Sequence, residues 1–350
     1  MSKLKIGFVG VGFMGQVAHL RNYVSLEDCA VAAIAEIRHR LARMVGERYG
    51  VPKIYQDHRE MLDKEKLDAV VASQPFTRHA VLLPDLYPRV KYLFTEKPLA
   101  VSVEAGEELA KAAKKAGCIH MVGYHKRSDP ATMFVKAKID QWMKSGEMGT
   151  LQYVRITMPP GDWIASGGIG FIDTDDPRPP LEQEPPIADM DKKTAEEYVG
   201  FVNYYIHQVN LMRHLLGENY KVKYADQRGR IMAVEGVSGA TGIIEMSPYN
   251  TSLEWEESAL IAFDKGYILL RLPPPLAHNR AGVVELYTDQ GGGAVPMRQI
   301  PSLPSTDAMR QQAINFLKVA RGEMAPPCDA RESVEDLKIA RDYIRLKYQK

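Results

Sequence analysis

The sequence is poor in cysteine, has no excess of charge of either sign, and contains no long apolar run. Its three cysteines, Cys29, Cys118 and Cys328, are far apart and odd in number. This excludes a disulfide framework and leaves no paired metal ligands. Each is expected as a small buried hydrophobe in a reducing compartment, and no metal site is expected. The formal net charge is +1, with 45 Lys+Arg and 44 Asp+Glu interspersed. Such a balance carries no electrostatic footprint for nucleic acid or a membrane surface. No apolar stretch approaches the roughly 20 residues of a membrane span. The opening "MSKLKIGFVGVG" runs from a short apolar strand into glycines, so no signal peptide is expected and a cytoplasmic location is the default.

What is present is apolar material for two domains, at 350 residues and 45% hydrophobic. The first third alternates strand-like and helix-like segments. "KLKIGFVG", "CAVAAIAE", "LDAVVAS", "KYLFTE" and "CIHMVGY" read as strands. Helical patterns run from Gly12 to about Val24, through "RHRLARMVGERYG", and through "SVEAGEELAKAAKKAG". Near-continuous apolar strands between amphipathic helices predict a doubly wound parallel sheet over residues 1–124. From 125 to 350 the character changes. "TLQYVRITM", "YKVKYADQR", "ATGIIEM", "SALIAFDKGYILLRL" and "VVELYT" read as strands of a mostly antiparallel, open-faced sheet, with a hairpin turn at Asp264-Lys265-Gly266. Helices are expected from about Lys192 to Gly217, near Asp307–Gly322, and over Ala330–Lys350. The segment 159–191 is rich in Pro, Gly and acids and longer than ordinary loops. It is either a solvated insertion or, given Trp163 and Phe171, a partly packed lid over a site.

"GVGFMG" places Gly10, Gly12 and Gly15 in GxGxxG spacing between the first strand and the following helix. The first glycine permits a tight turn and the second lets a pyrophosphate approach the backbone. The third lets helix and strand pack closely, so that the backbone around Phe13 and Met14 faces the phosphates. Glu36, at the end of the second strand, lies near the spacing of a ribose-binding carboxylate. A carboxylate there favours NAD; Arg38, two residues on, is suited to a 2′-phosphate and leaves NADP open.

In "EEYVGFVNYYIHQVNLMRHLLGE" an apolar stripe lies beside Asn203, His207, Asn210 and His214, spaced i, i+4, i+7 and i+11 on one helix face. Amides and imidazoles instead of Lys and Glu predict a partly enclosed, hydrogen-bonded polar surface.

Taken together, "GVGFMG", "TEKPLA", "GYHKRSDP" and "IHQVNLMRHLLGE" resemble the Gfo/Idh/MocA family, the relatives of glucose–fructose oxidoreductase and inositol dehydrogenase. The resemblance covers nearly the whole chain, and the strand-terminal Glu-Lys-Pro is its most specific motif. It implies that Lys97 sits by the nicotinamide and the substrate hydroxyl, with Glu96 at the cofactor end and Pro98 fixing the turn, often through a cis bond. It implies cofactor contacts from Ser73, Pro75 and His79 in "SQPFTRHA" and from His125 in "GYHKR". Tyr124 and Arg127 are expected near the substrate, and His207 matches the catalytic histidine. The chain departs from the family pattern in carrying Asn203 and Asn210 where aspartates are usual. Asn203 can orient the His207 ring but supplies no charge to raise its pKa.

The resemblance therefore implies an NAD(P)-dependent oxidoreductase that moves a hydride between nicotinamide and a secondary alcohol of a sugar, cyclitol or glycoside. Lys97 would steady the alkoxide and His207 take the proton; Trp163 or Tyr204 would stack on the sugar. Two other readings stand beside it. One is a redox-neutral cleavage or epimerisation through a transient ketone, with Tyr198, Tyr204 or Tyr205 as acid or base. The other is a regulatory protein that binds NAD(P) without chemistry. The open sheet face and the resemblance together predict a homodimer or homotetramer.

Overall fold

A computed structural model describes residues 2–247 and 249–348. Along the first third run β1 (Leu4–Val9), α1 (Arg21–Tyr23), β2 (Cys29–Ala35), α2 (His39–Tyr49), β3 (Lys53–Tyr55) and α3 (His58–Lys64). They are followed by β4 (Ala69–Ala72), α4 (His79–Leu86), β5 (Tyr92–Glu96), α5 (Val103–Ala116) and β6 (Ile119–Gly123). The six strands form one sheet in the order β3-β2-β1-β4-β5-β6, every pairing parallel. The order reverses between β1 and β4. A crevice opens beyond the carboxyl ends of the strands at such a switch point, and ligands of doubly wound sheets bind there. Short β3 carries only three residues, two of them exposed, too weak a pattern to read from sequence. The stretch after the glycines is helical as expected, but its first turns, Gly15–Leu20, are π-helical before α1.

The remainder contains α6 (Pro130–Ser145), β7 (Leu151–Thr157), α7 (Lys192–Tyr204) and α8 (Ile206–Leu216), then β8 (Tyr220–Ala225), β9 (Ile231–Gly236) and β10 (Thr241–Glu245). The last elements are β11 (Glu257–Phe263), β12 (Gly266–Leu272), β13 (Val283–Thr288), β14 (Met297–Gln299), α9 (Ala308–Ala320) and α10 (Ala330–Tyr348). The second sheet has the order β14-β13-β12-β11-β7-β10-β9-β8, antiparallel except for β7 with β10. The expected hairpin joins β11 to β12. Helix α6 is an element the sequence reading passed over. Its start signal is present: Asp129 accepts from the Ala131 N–H as N-cap and Pro130 opens the first turn. The helix expected over Lys192–Gly217 is interrupted at Tyr205. The helix expected to reach Lys350 is described to Tyr348; the last two residues lie outside the described ones.

Two compact units interleave along the chain. The nucleotide-type unit takes the residues up to Tyr124, then Ser166–Ala195 and Met309–Leu337. The sequence reading placed those last two segments with the second domain. They join the first because they pack into it: Phe316 lies 5.7 Å from Phe94, ring to ring, in the core beneath β1 and β5. The second unit comprises His125–Ala165, Glu196–Ala308 and the end of α10.

Candidate active site

In the nucleotide unit the three glycines do different work. Gly10 turns at φ +89, and a Cβ there would stand 2.6 Å from the Ser73 carbonyl oxygen. At Gly15 it would stand 2.8 Å from the Gly10 oxygen. These two are needed by the turn and by close packing. Around Gly12 a Cβ would meet only Arg38 Nη2, at 3.4 Å. The backbone there is open to a ligand, as the pyrophosphate position of a dinucleotide requires. The residues thus fit the cofactor the motif implies.

Glu36 ends β2, buried. Its Oε2 accepts from the Val11 N–H (3.0 Å) and from Arg38 Nη2 (3.1 Å), and its Oε1 from Arg38 Nε (2.8 Å) and the Arg38 N–H (3.2 Å). The expected carboxylate and the expected arginine are therefore bound to each other. The hydrogen bond to Glu36 raises the Arg38 pKa, against some lowering by burial. Phe13 and Met14 lie half-buried at the helix start; Ser73 is half-buried and Pro75 exposed at the end of β4.

At the end of β5, Glu96 is buried and Lys97 half-buried, and the Lys97–Pro98 peptide is cis. His19 Nε2 lies 2.7 Å from Glu96 Oε1. Burial pushes the Glu96 carboxyl up, but the His19 hydrogen bond and the charges of His19 and Lys97 outweigh it and hold it low. Glu96 thus stays ionised beside Lys97. His79, expected at the cofactor, is instead fully buried. Its Nδ1 lies 3.0 Å from the Leu99 carbonyl, so it supports the turn that carries Lys97. Burial lowers its pKa to about 4. Tyr124, expected at the substrate, is also buried, its hydroxyl 3.2 Å from Ser333 Oγ. A side chain with no accessible surface has none to offer a ligand.

Segment 166–184 crosses this unit as a strap. Phe171 packs edge-on to Phe13 (5.2 Å), and the Gln16 side chain both donates to and accepts from the Ile172 backbone (2.9 and 3.1 Å). Asp176 accepts from the Leu41 N–H (2.8 Å), and Glu184 from the Val101 and Ser102 N–H groups (2.9 and 2.8 Å). Asp176 thereby satisfies an orphan donor in the first turn of α2, and Glu184 the two N–H groups just before α5. None of these anchors was visible in the sequence, where the segment read equally as a solvated insertion or a partly packed lid.

In the second unit, the His207 ring lies 4.6 Å from the His125 ring, edge to face. Arg127 is buried and donates from Nε to Asn210 Oδ1 (2.6 Å). Asn210 thus serves as an arginine acceptor, a role an amide oxygen can fill. Asn203 is exposed on α7, His207 and His214 are half-buried and Asn210 is buried, so the polar face is partly enclosed, as expected. His214 is held neutral, its pKa pushed well down by burial and by the nearby Arg127, Lys136 and Arg213 charges. Trp163 is half-buried, its carbonyl accepting from Leu276 (3.1 Å). Tyr204 is half-buried, its pKa raised by burial and by Glu257. Of the other tyrosines, Tyr198 is buried and Tyr205 donates to the Met246 carbonyl.

The sequence reading missed a buried network beside these residues. Lys126 Nζ contacts Glu257 Oε2 at 2.6 Å, both side chains all but inaccessible. Gln208 Nε2 donates to Glu257 Oε1 (2.8 Å) and Trp255 Nε1 to Oε2 (3.2 Å). A buried charge requires such pairing. The only signals were Lys126 inside "GYHKRSDP" and an acid opening an apolar strand. No His/Cys/Asp/Glu group capable of holding a metal ion occurs among the described residues.

A doubly wound parallel sheet with an open glycine turn and an acid just past its second strand defines a dinucleotide-binding unit. Residues 4–124 match the family described as "Oxidoreductase family, NAD-binding Rossmann fold". The nucleotide unit thus matches the NAD-binding part of the Gfo/Idh/MocA oxidoreductases, and the chain is an enzyme using NAD. It is 26% identical over 266 residues to myo-inositol 2-dehydrogenase of Thermotoga maritima, covering 70% of this chain and 68% of that one. To scyllo-inositol 2-dehydrogenase (NAD(+)) of Bacillus subtilis it is 27% identical over 263 residues, covering 73% and 71%. In fold it resembles an aldose–aldose oxidoreductase from Caulobacter crescentus, crystallised with glycerol. That structure has a TM-score of 0.71 at 17% identity, covering 99% of this chain and 98% of the other.

Proposed function

We propose that the protein is an NAD-dependent dehydrogenase acting on a secondary alcohol of a sugar, cyclitol or glycoside. The observation that carries this is the strand-terminal Glu96-Lys97-Pro98 at the carboxyl edge of the nucleotide sheet, with Lys97 accessible beside an ionised Glu96. The names of its inositol-oxidising relatives support the substrate class. A bound nicotinamide would supply the hydride acceptor. Lys97 would donate a hydrogen bond to the substrate hydroxyl and stabilise negative charge on that oxygen. Glu96 keeps the local charge balanced, and His79 beneath holds the turn. His207 would accept the hydroxyl proton, its ring positioned by the edge contact from His125. Substitution of Lys97 by Met is expected to lower turnover by at least about a thousandfold while dinucleotide affinity stays within a few-fold. Retained turnover would remove Lys97 from the mechanism.

A second reading is favoured by the strap. Its anchors tie it to Gln16, just after the glycine turn, and to the starts of α2 and α5, an arrangement suited to an enzyme that keeps its dinucleotide between half-reactions. Such an enzyme would oxidise transiently and reduce again. The name of the aldose–aldose oxidoreductase points the same way. Incubating the pure protein with NAD, then NADP, across sugars, cyclitols and glycosides separates the two. Stoichiometric reduced cofactor means a dehydrogenase; product without net reduction means the redox-neutral cycle.

A further inference from the structure

We propose that Asp173, carried by the strap, makes the adenosine end of the nucleotide site select NAD over NADP. It does so by occupying the two arginines that would otherwise take the 2′-phosphate. The inference rests on the dinucleotide reading of this unit. Arg38 stands at the adenosine end: it follows the ribose-type carboxylate Glu36 by two residues and is hydrogen-bonded to it. Taken by the sequence alone, it is the residue that keeps NADP open.

The structure commits it elsewhere. A carboxylate offers about four acceptor positions, and Glu36 fills them with the Val11 N–H and three donors of Arg38. On the remaining side, Arg38 Nη1 faces Asp173 Oδ1 at 4.0 Å. Arg178 Nη2 reaches the same oxygen at 3.2 Å. Arg38 is thus met by Glu36 and Asp173, with the charge of Asp176 also acting on it. A phosphate carrying nearly two negative charges would meet no unbalanced positive charge there, and would lie against Asp173. Replacing that acid with a neutral residue removes one negative charge and leaves both guanidinium groups with spare donors.

Asp173 is half-exposed, but its place is set from both sides. Gln16 holds the Ile172 backbone in both directions, and Asp176 is tied to the first turn of α2. Thr174 Oγ1 donates to Asp176 Oδ2 between them (2.9 Å). Asp175, two residues from Asp173, points to a different partner, the exposed Arg40 at 2.6 Å. It is a built-in control of equal charge.

Binding of NAD+ and of NADP+, measured by titration calorimetry without substrate, tests the proposal. The wild-type protein should bind NAD+ more tightly. Asp173→Asn should shift the ratio of the two dissociation constants toward NADP+ by about tenfold. Adding Arg38→Ala to that variant should abolish the gain, and Asp175→Asn should leave the ratio unchanged. If Asp173→Asn fails to fold, Asp173→Ser carries the same expectation. An unchanged ratio in the Asp173 variant, an equal shift in Asp175→Asn, or a wild type that prefers NADP+ would each overturn the proposal. A wild type that binds neither dinucleotide would overturn the nucleotide reading itself.

Discussion

His79 and Lys97 belong to one local device, although only Lys97 has accessible surface. The family resemblance implied that both lie at the cofactor. Burial separates their roles: His79 Nδ1 meets the Leu99 carbonyl under the turn, while Lys97 stays half-buried. With its pKa lowered by burial to about 4 from an ordinary 6.5, folded His79 binds fewer protons than the unfolded chain between those values. Stability from this group is therefore full above pH 6.5 and is lost as pH falls toward 4, by roughly 3 kcal/mol in all. Denaturant unfolding of wild type and His79→Gln across pH 7 to 4 should show a shallower acid slope in the variant; parallel slopes would assign acid sensitivity elsewhere. At this scale the glycines and Glu36 stood out because short-range spacing carries them, while the roles of Lys97 and His207 were only implied by the family resemblance. The buried Lys126–Glu257 pair was not, because its partners are 131 residues apart in sequence.

Among the elements, the strap illustrates what composition hides. Pro, Gly and acids over 159–191 read equally as a solvated loop or a partial lid. What distinguishes them is whether the acids find donors. Glu184 finds three just before α5, the Val101 and Ser102 N–H groups and the Ser102 hydroxyl. Glu184→Ala should cost about 1 to 3 kcal/mol of stability, the scale of leaving hydrogen-bonding groups without their partner. It should also speed limited proteolysis within 166–184. Unchanged melting and cleavage would mean that water replaces the carboxylate at no cost. Strand and helix types were legible through the periods of 2 and 3.6. Short β3 and the interruption at Tyr205 were not, since neither disturbs the pattern over enough residues to register.

For the molecule as a whole, the second sheet leaves one face with half-buried apolar groups. Cross-strand register aligns Leu260 with Leu269, and Tyr267 with Tyr287, the two tyrosine rings stacked at 5.4 Å. A second copy of the chain would cover such a face, as the sequence reading expected. Sedimentation should report a dimer or tetramer, and Leu269→Glu should shift it toward monomer with the nucleotide unit still binding NAD. A wild-type monomer would remove the expectation. No helix among the described residues is long and apolar enough to cross a membrane. By itself the sequence determined the doubly wound sheet and the glycine turn; the roles of Glu96, Lys97 and His207 were only implied by the family resemblance. Apolar periodicity and turn chemistry act over a few residues and survive without the fold. Tertiary structure alone decided that Ser166–Ala195 and Met309–Leu337 belong with the nucleotide unit. It also decided that His79 and Tyr124 are buried, and that Arg38 is bound by Glu36 and faced by Asp173. Those outcomes depend on desolvation and on pairing between charges far apart in sequence, which take effect only once the chain is packed.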